Sequence, residues 1–151
     1  VMRTLSKLGL AGLRLGFLVG APAWISQLDK IRLPYNINIL TQVAATHILQ
    51  QGHILQAQAD TLLAERTRMR QALANLPNTQ VFDSRANFIL LQVPAAKEVF
   101  VALKQHNILI KCLDGVHPLL KNTLRVTIGT PEENRLLLQA LQTLLGANPC
   151  A

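Results

Sequence analysis

The chain has 151 residues, enough for one domain or for part of a larger one, and half of them are apolar, so a packed core is within reach and disorder is not expected. Only 4% are aromatic, so that core is aliphatic, and Lys plus Arg outnumber Asp plus Glu by 15 to 8. The resulting +7 charge favours an anionic partner, whether nucleic acid, anionic lipid, or small phosphorylated and carboxylated molecules.

In chain order, the first segment is "RTLSKLGLAGLRLG", Arg3 to Gly16, in which Lys7 follows Ser6 and precedes small and apolar residues. "RLGFLVG" (14–20) is short, apolar and bounded by glycine, and is expected as a buried strand. "APAWISQLDKIR" predicts a helix with Pro22 near its start, ended before "LPYNIN" because Pro34 disfavours a helical Leu33. Helical spacing resumes from Ile39 to Gln51, Gly52 interrupts it, and a long amphipathic helix is expected over 54–76.

The pattern then changes. "TQVFDS", "NFILLQV", "ILIKC" and "TLRVTIG" are strand-like, with helices at "AAKEVFVALKQHN" and "TPEENRLLLQALQTLLG". Thr130, Pro131 and Glu133 spell a capping box. Residues 78–146 therefore read as a self-contained β-β-α-β-β-α unit, an α+β arrangement with helices on one face of a small sheet. The break is expected near Pro77. Residues 1–76 hold one strand and three helices, too little for a sheet, and read as the end of a larger α/β domain.

The histidines and cysteines do not build a site by spacing. His47 and His53 are poorly matched on a helix, while His106 and His117 fall in loops. Cys112 and Cys150 form no metal or disulfide pattern, in keeping with a reducing cytosol, and no metal is expected. No membrane span and no signal peptide are visible. The densest basic group, Arg66, Arg68 and Arg70, lacks interleaved aromatics, so a nucleic-acid partner is not expected and a solvated helix face is the plainer reading.

Lys7 is not a P-loop lysine, because its glycines follow it. The other use of a lysine in an apolar setting is as an amine that condenses with an aldehyde, a role favoured by desolvation and by a nearby cation such as Arg14. Ser6 and Arg14 together have the donors to hold a phosphate. An aldehyde that carries a phosphate is pyridoxal phosphate (PLP).

"RTLSKLGLAGLRLGFLVG" resembles the cofactor-lysine segment of the fold-type I PLP-dependent aminotransferases, most closely the histidinol-phosphate aminotransferase family, and "LPYN", "ANFILL" and "LRVTIGTPEEN" follow in that family's order. The resemblance implies an α/β and α+β fold: the end of the large PLP-binding domain (1–76), then the small C-terminal domain (77–151). It implies that Lys7 bonds the cofactor and then shuttles protons, that Ser6 and Arg14 hold its phosphate, and that Arg125 grips the carboxylate of glutamate or the phosphate of histidinol phosphate. Tyr35 and Asn36 would lie near the substrate entrance, with turn formation as the alternative. Lys111 stands where relatives often carry arginine, a second anion contact without the fork geometry. The interval between Lys7 and "LAGLR" is one residue shorter than in many relatives. Not covered are a glycine-containing phosphate loop, an aromatic stacked on the ring, and an aspartate at the pyridinium nitrogen.

The implied reaction is transamination between histidinol phosphate and 2-oxoglutarate in histidine biosynthesis, by a cytoplasmic homodimer when full length, with the chain alone inactive. The alternatives are an aminotransferase of aromatic or aspartate type, or a non-enzymatic basic α+β module binding an anion through Arg66–Arg70.

Overall fold

The computed structural model describes residues 1–146, so Cys150 lies outside the described residues. Two compact units divide within one helix, Val1–Ala59 and Asp60–Ala151.

The first unit opens with a hairpin. β1 (Met2–Thr4) pairs antiparallel with β2 (Gly16–Leu18), Met2 opposite Leu18 and Thr4 opposite Gly16. Gly16 has a packing reason: a Cβ there would stand 2.8 Å from the Arg3 carbonyl oxygen of the neighbouring strand. Two 3-10 turns, Leu5–Leu8 and Ala11–Leu13, fill the connection. Helices α1 (Pro22–Ile31) and α2 (Ile39–Leu49) follow, the second capped by Asn38, whose Oδ1 accepts from Thr41 N–H at 2.8 Å. Gly52 does not merely interrupt the helical pattern but begins α3 (Gly52–Ala74).

Two expectations need correcting here. β1 was not foreseen, because three residues give no readable alternation. The strand expected to be buried is exposed: Phe17, Leu18 and Val19 all stay accessible, because β2 has one short neighbour and no covered face among the described residues. Leu5 and Ala45 are the apolar residues this unit buries.

The second unit is the expected β-β-α-β-β-α fold. β3 (Gln80–Val81), β4 (Phe88–Gln92), β5 (Lys111–Cys112) and β6 (Thr123–Thr127) form one antiparallel sheet in the order β3-β4-β6-β5. Alternation assigns its faces. Ile89 and Leu91 on β4 and Leu124 and Val126 on β6 are fully buried, while Arg125 and Thr127 are exposed. The helices supply matching stripes: Ala96, Val99 and Leu103 of α4 (Ala96–Gln105), and Leu137, Leu138 and Leu141 of α5 (Pro131–Gly146). Met69 and Leu73 of α3 join the same core, which is why the units part at Ala59/Asp60, ahead of the sequence break near Pro77.

The capping box forms as read: Thr130 N–H donates to Glu133 Oε2 at 2.8 Å, and Glu133 N–H returns a bond to Thr130 Oγ1 at 3.3 Å. One buried polar network ties α3 to α5. Glu65 accepts from Arg68 Nε (2.9 Å) and Nη2 (2.7 Å) and from Asn134 Nδ2 (2.7 Å). Asn134 in turn accepts from Gly129 N–H at 3.0 Å and donates to Gly129 C=O at 3.1 Å, fixing the turn after β6.

Candidate active site

Ser6, Lys7 and Arg14 lie in one connection between paired strands of the first unit. Thr4 begins it: its Oγ1 accepts from Ser6 N–H at 3.2 Å and lies 2.9 Å from Ser6 Oγ. Leu5 N–H donates to Leu15 C=O at 3.0 Å, which closes the connection and keeps Ser6 and Arg14 near its two ends. The turn that carries Lys7 stops at Gly9, whose φ of 81° is left-handed. Arg14 adopts φ 52°, a conformation few non-glycine residues hold without tertiary support, and its Nη1 donates to Ala11 C=O at 3.3 Å.

Among the described residues no carboxylate pairs with Lys7 or Arg14, and both side chains are exposed. A Cβ added at Gly9 or Gly12 would meet no atom within 4 Å, so open space adjoins the connection. An amine, a hydroxyl and a guanidinium beside open space have the donor chemistry that a phosphorylated aldehyde calls for. The residues present fit that group.

Tyr35 and Asn36 sit in the turn between α1 and α2. Tyr35 is 97% exposed and has φ 56°, a strained conformation for a bulky residue. Asn36 is engaged locally: its Oδ1 accepts from Arg32 Nη1 at 3.1 Å, while Arg32 Nε donates to Asp29 at 2.8 Å.

Arg125 and Lys111 lie in the second unit, opposite one another on β6 and β5. Directly opposed residues share a face, and both are exposed, so two cations stand side by side. No acidic side chain among the described residues pairs with either. Instead the Arg125 Cζ lies 5.2 Å from the centroid of the Phe88 ring. Phe88 entered the sequence reading only as part of a strand; its diagonal relation to Arg125 follows from register, with Phe88 opposite Thr127 and Leu90 opposite Arg125.

The basic group on α3 is differently occupied. Arg66 Nη1 donates to Ala86 C=O at 3.1 Å, Arg68 grips Glu65, and Arg70 pairs with Asp83. Among the described residues no group of three or more His, Cys, Asp or Glu comes together, and no helix is long and apolar enough to cross a membrane.

Residues 1–141 match the family of aminotransferases of class I and II. The chain belongs to that family. A histidinol-phosphate aminotransferase of Burkholderia lata is 54% identical to this aminotransferase chain over 145 residues, 96% of the chain and 41% of the relative. The chain thus spans about two fifths of the length of the curated relatives it matches. Among solved structures, a Burkholderia pseudomallei protein assigned as an aminotransferase superposes with a TM-score of 0.86 at 32% identity, over 95% of this chain and 44% of that one. The histidinol-phosphate aminotransferase of Sinorhizobium meliloti, solved with pyridoxal 5'-phosphate, gives 0.79 at 26% identity, over 97% of this chain and 41% of that one. The mixed α/β fold expected from the resemblance is the fold of this aminotransferase chain.

Proposed function

We propose that the chain is part of a PLP-dependent aminotransferase that moves an amino group between histidinol phosphate and 2-oxoglutarate, giving imidazole acetol phosphate and glutamate in histidine biosynthesis. The observation that carries this reading is the strand connection that holds Lys7 between Ser6 and Arg14, in a chain 54% identical to a histidinol-phosphate aminotransferase. The +7 charge suits anionic substrates and cofactor. In this reading residues 1–76 end the larger cofactor domain, and residues 77–151 form the small domain. Such an enzyme works in the cytoplasm as a homodimer.

Bound PLP supplies an electron sink for the substrate carbon. The rest is done by protein groups. Lys7 Nζ would be the amine that holds the cofactor through its aldehyde carbon, and the same amine would carry the proton to and from the substrate carbon. Ser6 Oγ, which lies 2.9 Å from Thr4 Oγ1, and the Arg14 guanidinium would hold the phosphate as hydrogen-bond donors. Arg125 and Lys111 hold the anionic end of the substrate, the first with a fork and the second with a point charge. Tyr35 lines the entrance. Lys7 is exposed in this chain, so the enclosure its amine requires comes from the three fifths of the enzyme the chain does not span.

The test is to compare amino donors on the holoenzyme. A kcat/KM for histidinol phosphate well above those for phenylalanine and aspartate supports the reading, while preference for either amino acid assigns the other aminotransferase specificity. Arg125→Ala is expected to raise the substrate KM by roughly 10- to 100-fold, the scale of a charge-assisted hydrogen bond. The rival basic module has little to work with, because Arg66, Arg68 and Arg70 are each engaged within the protein.

A further inference from the structure

We propose that Phe88 is the positioning residue of the Arg125 anion site, holding the guanidinium by its ring face so that every N–H donor stays available to a ligand. This rests on the reading of Arg125 as the substrate-anion residue. Arginines elsewhere in the protein show the contrast. Arg32, Arg68, Arg70 and Arg135 are each held by a carboxylate, which consumes donors and neutralises charge. The Arg125 side chain has no acidic partner and no side-chain hydrogen bond among the described residues; its Cζ stands 5.2 Å from the Phe88 centroid instead. An aromatic face attracts a cation through its quadrupole and takes up none of its donors.

The surroundings make this placement firm. Phe88 is half-buried at the start of β4, its backbone carbonyl accepts from Ser84 Oγ, and Ser84 Oγ also accepts from Ala86 N–H at 3.1 Å. Arg66 Nη1 fixes the Ala86 carbonyl from α3. Across the strand pair, Ile128 N–H donates to Asn87 C=O at 2.9 Å, which locks the register that sets Phe88 diagonal to Arg125. Lys111, directly opposite Arg125, pushes the guanidinium away from β5 by like-charge repulsion, while the ring on β4 gives it an attractive resting place. The ring and the second cation thus hold the fork from opposite sides.

The experiment compares holoenzymes carrying Phe88→Leu, Phe88→Tyr and Arg125→Ala, with KM and kcat for the anionic amino donor and thermal midpoints measured for each. Loss of the ring face in Phe88→Leu is expected to raise KM about two- to five-fold, the scale of an exposed cation–π contact, with kcat within about two-fold. Phe88→Tyr, which keeps the face, is expected to match the parent. An unchanged KM in Phe88→Leu beside a raised KM in Arg125→Ala overturns the role of Phe88 and leaves the anion site standing. Equal KM increases in Phe88→Leu and Phe88→Tyr also overturn it, by making the effect one of packing. An Arg125→Ala enzyme with parental KM overturns the anion site itself, and this proposal with it.

Discussion

Lys111 and Arg125 form a like-charged pair directly opposite one another on adjacent strands, an arrangement that a sheet selected for stability alone would avoid. The anion-site reading therefore makes opposite predictions for stability and binding. Lys111→Glu is expected to stabilise the second unit by about 0.2–1 kcal/mol through a new cross-strand ion pair, while weakening substrate binding in the holoenzyme. Chemical denaturation and substrate KM check the two halves separately. At this scale the sequence exposes the residues whose chemistry is local. Ser6, Lys7 and Arg14 are legible because a hydroxyl, an amine and a guanidinium fall within one short glycine-bearing segment. Phe88 is not, because its relation to Arg125 exists only once β4 and β6 are in register, and no spacing along the chain encodes that.

The helices show which energetic terms hold the second unit in place. Glu65 is nearly buried, and its hydrogen bonds, first from Arg68 and then from Asn134, hold its carboxyl below the ordinary value of 4.5, with burial opposing them. A group whose folded pKa is lowered contributes its stability above the ordinary pKa and loses it as pH falls through the lowered one. Glu65→Gln is accordingly expected to flatten the acid limb of the stability curve below about pH 4.5, followed by denaturation across pH. Asn134→Ala, which orphans the Gly129 N–H and C=O and removes one of the three hydrogen bonds to Glu65, is expected to cost about 1–3 kcal/mol. Thr130→Ala removes the cap alone and is expected to cost about 1 kcal/mol in the same assay. The capping box is legible in "TPEE", since all its partners lie within four residues. The Glu65–Asn134 bond spans 69 positions and leaves no mark in the sequence beyond an acidic residue on an apolar stripe. β1 escaped for a different reason, being three residues whose strand character comes wholly from its partner.

Across the whole molecule, burial is unequal. The second unit encloses a continuous aliphatic core, whereas the first buries Leu5 and Ala45 and leaves Phe17, Trp24 and Ile31 exposed. Hydrogen exchange on the 151-residue chain is therefore expected to find strong amide protection in β4, β6 and α5 and little in β1, β2 and α1; equal protection would contradict this distribution of burial. The contrast in burial is legible in outline, because strand and helix alternate with complete hydrophobic stripes only after Pro77, while the part before it has too few strands to cover a sheet core. The compact units part within α3, ahead of Pro77, because the second half of α3 packs with the part that follows it. The central claim, that Lys7 is the cofactor-bonding amine, is tested most directly by reducing the PLP-loaded holoenzyme with borohydride and locating the label by peptide mass. The account predicts a single labelled site at Lys7, lost in Lys7→Ala. Label on another lysine, with Lys7 unmodified, would contradict it.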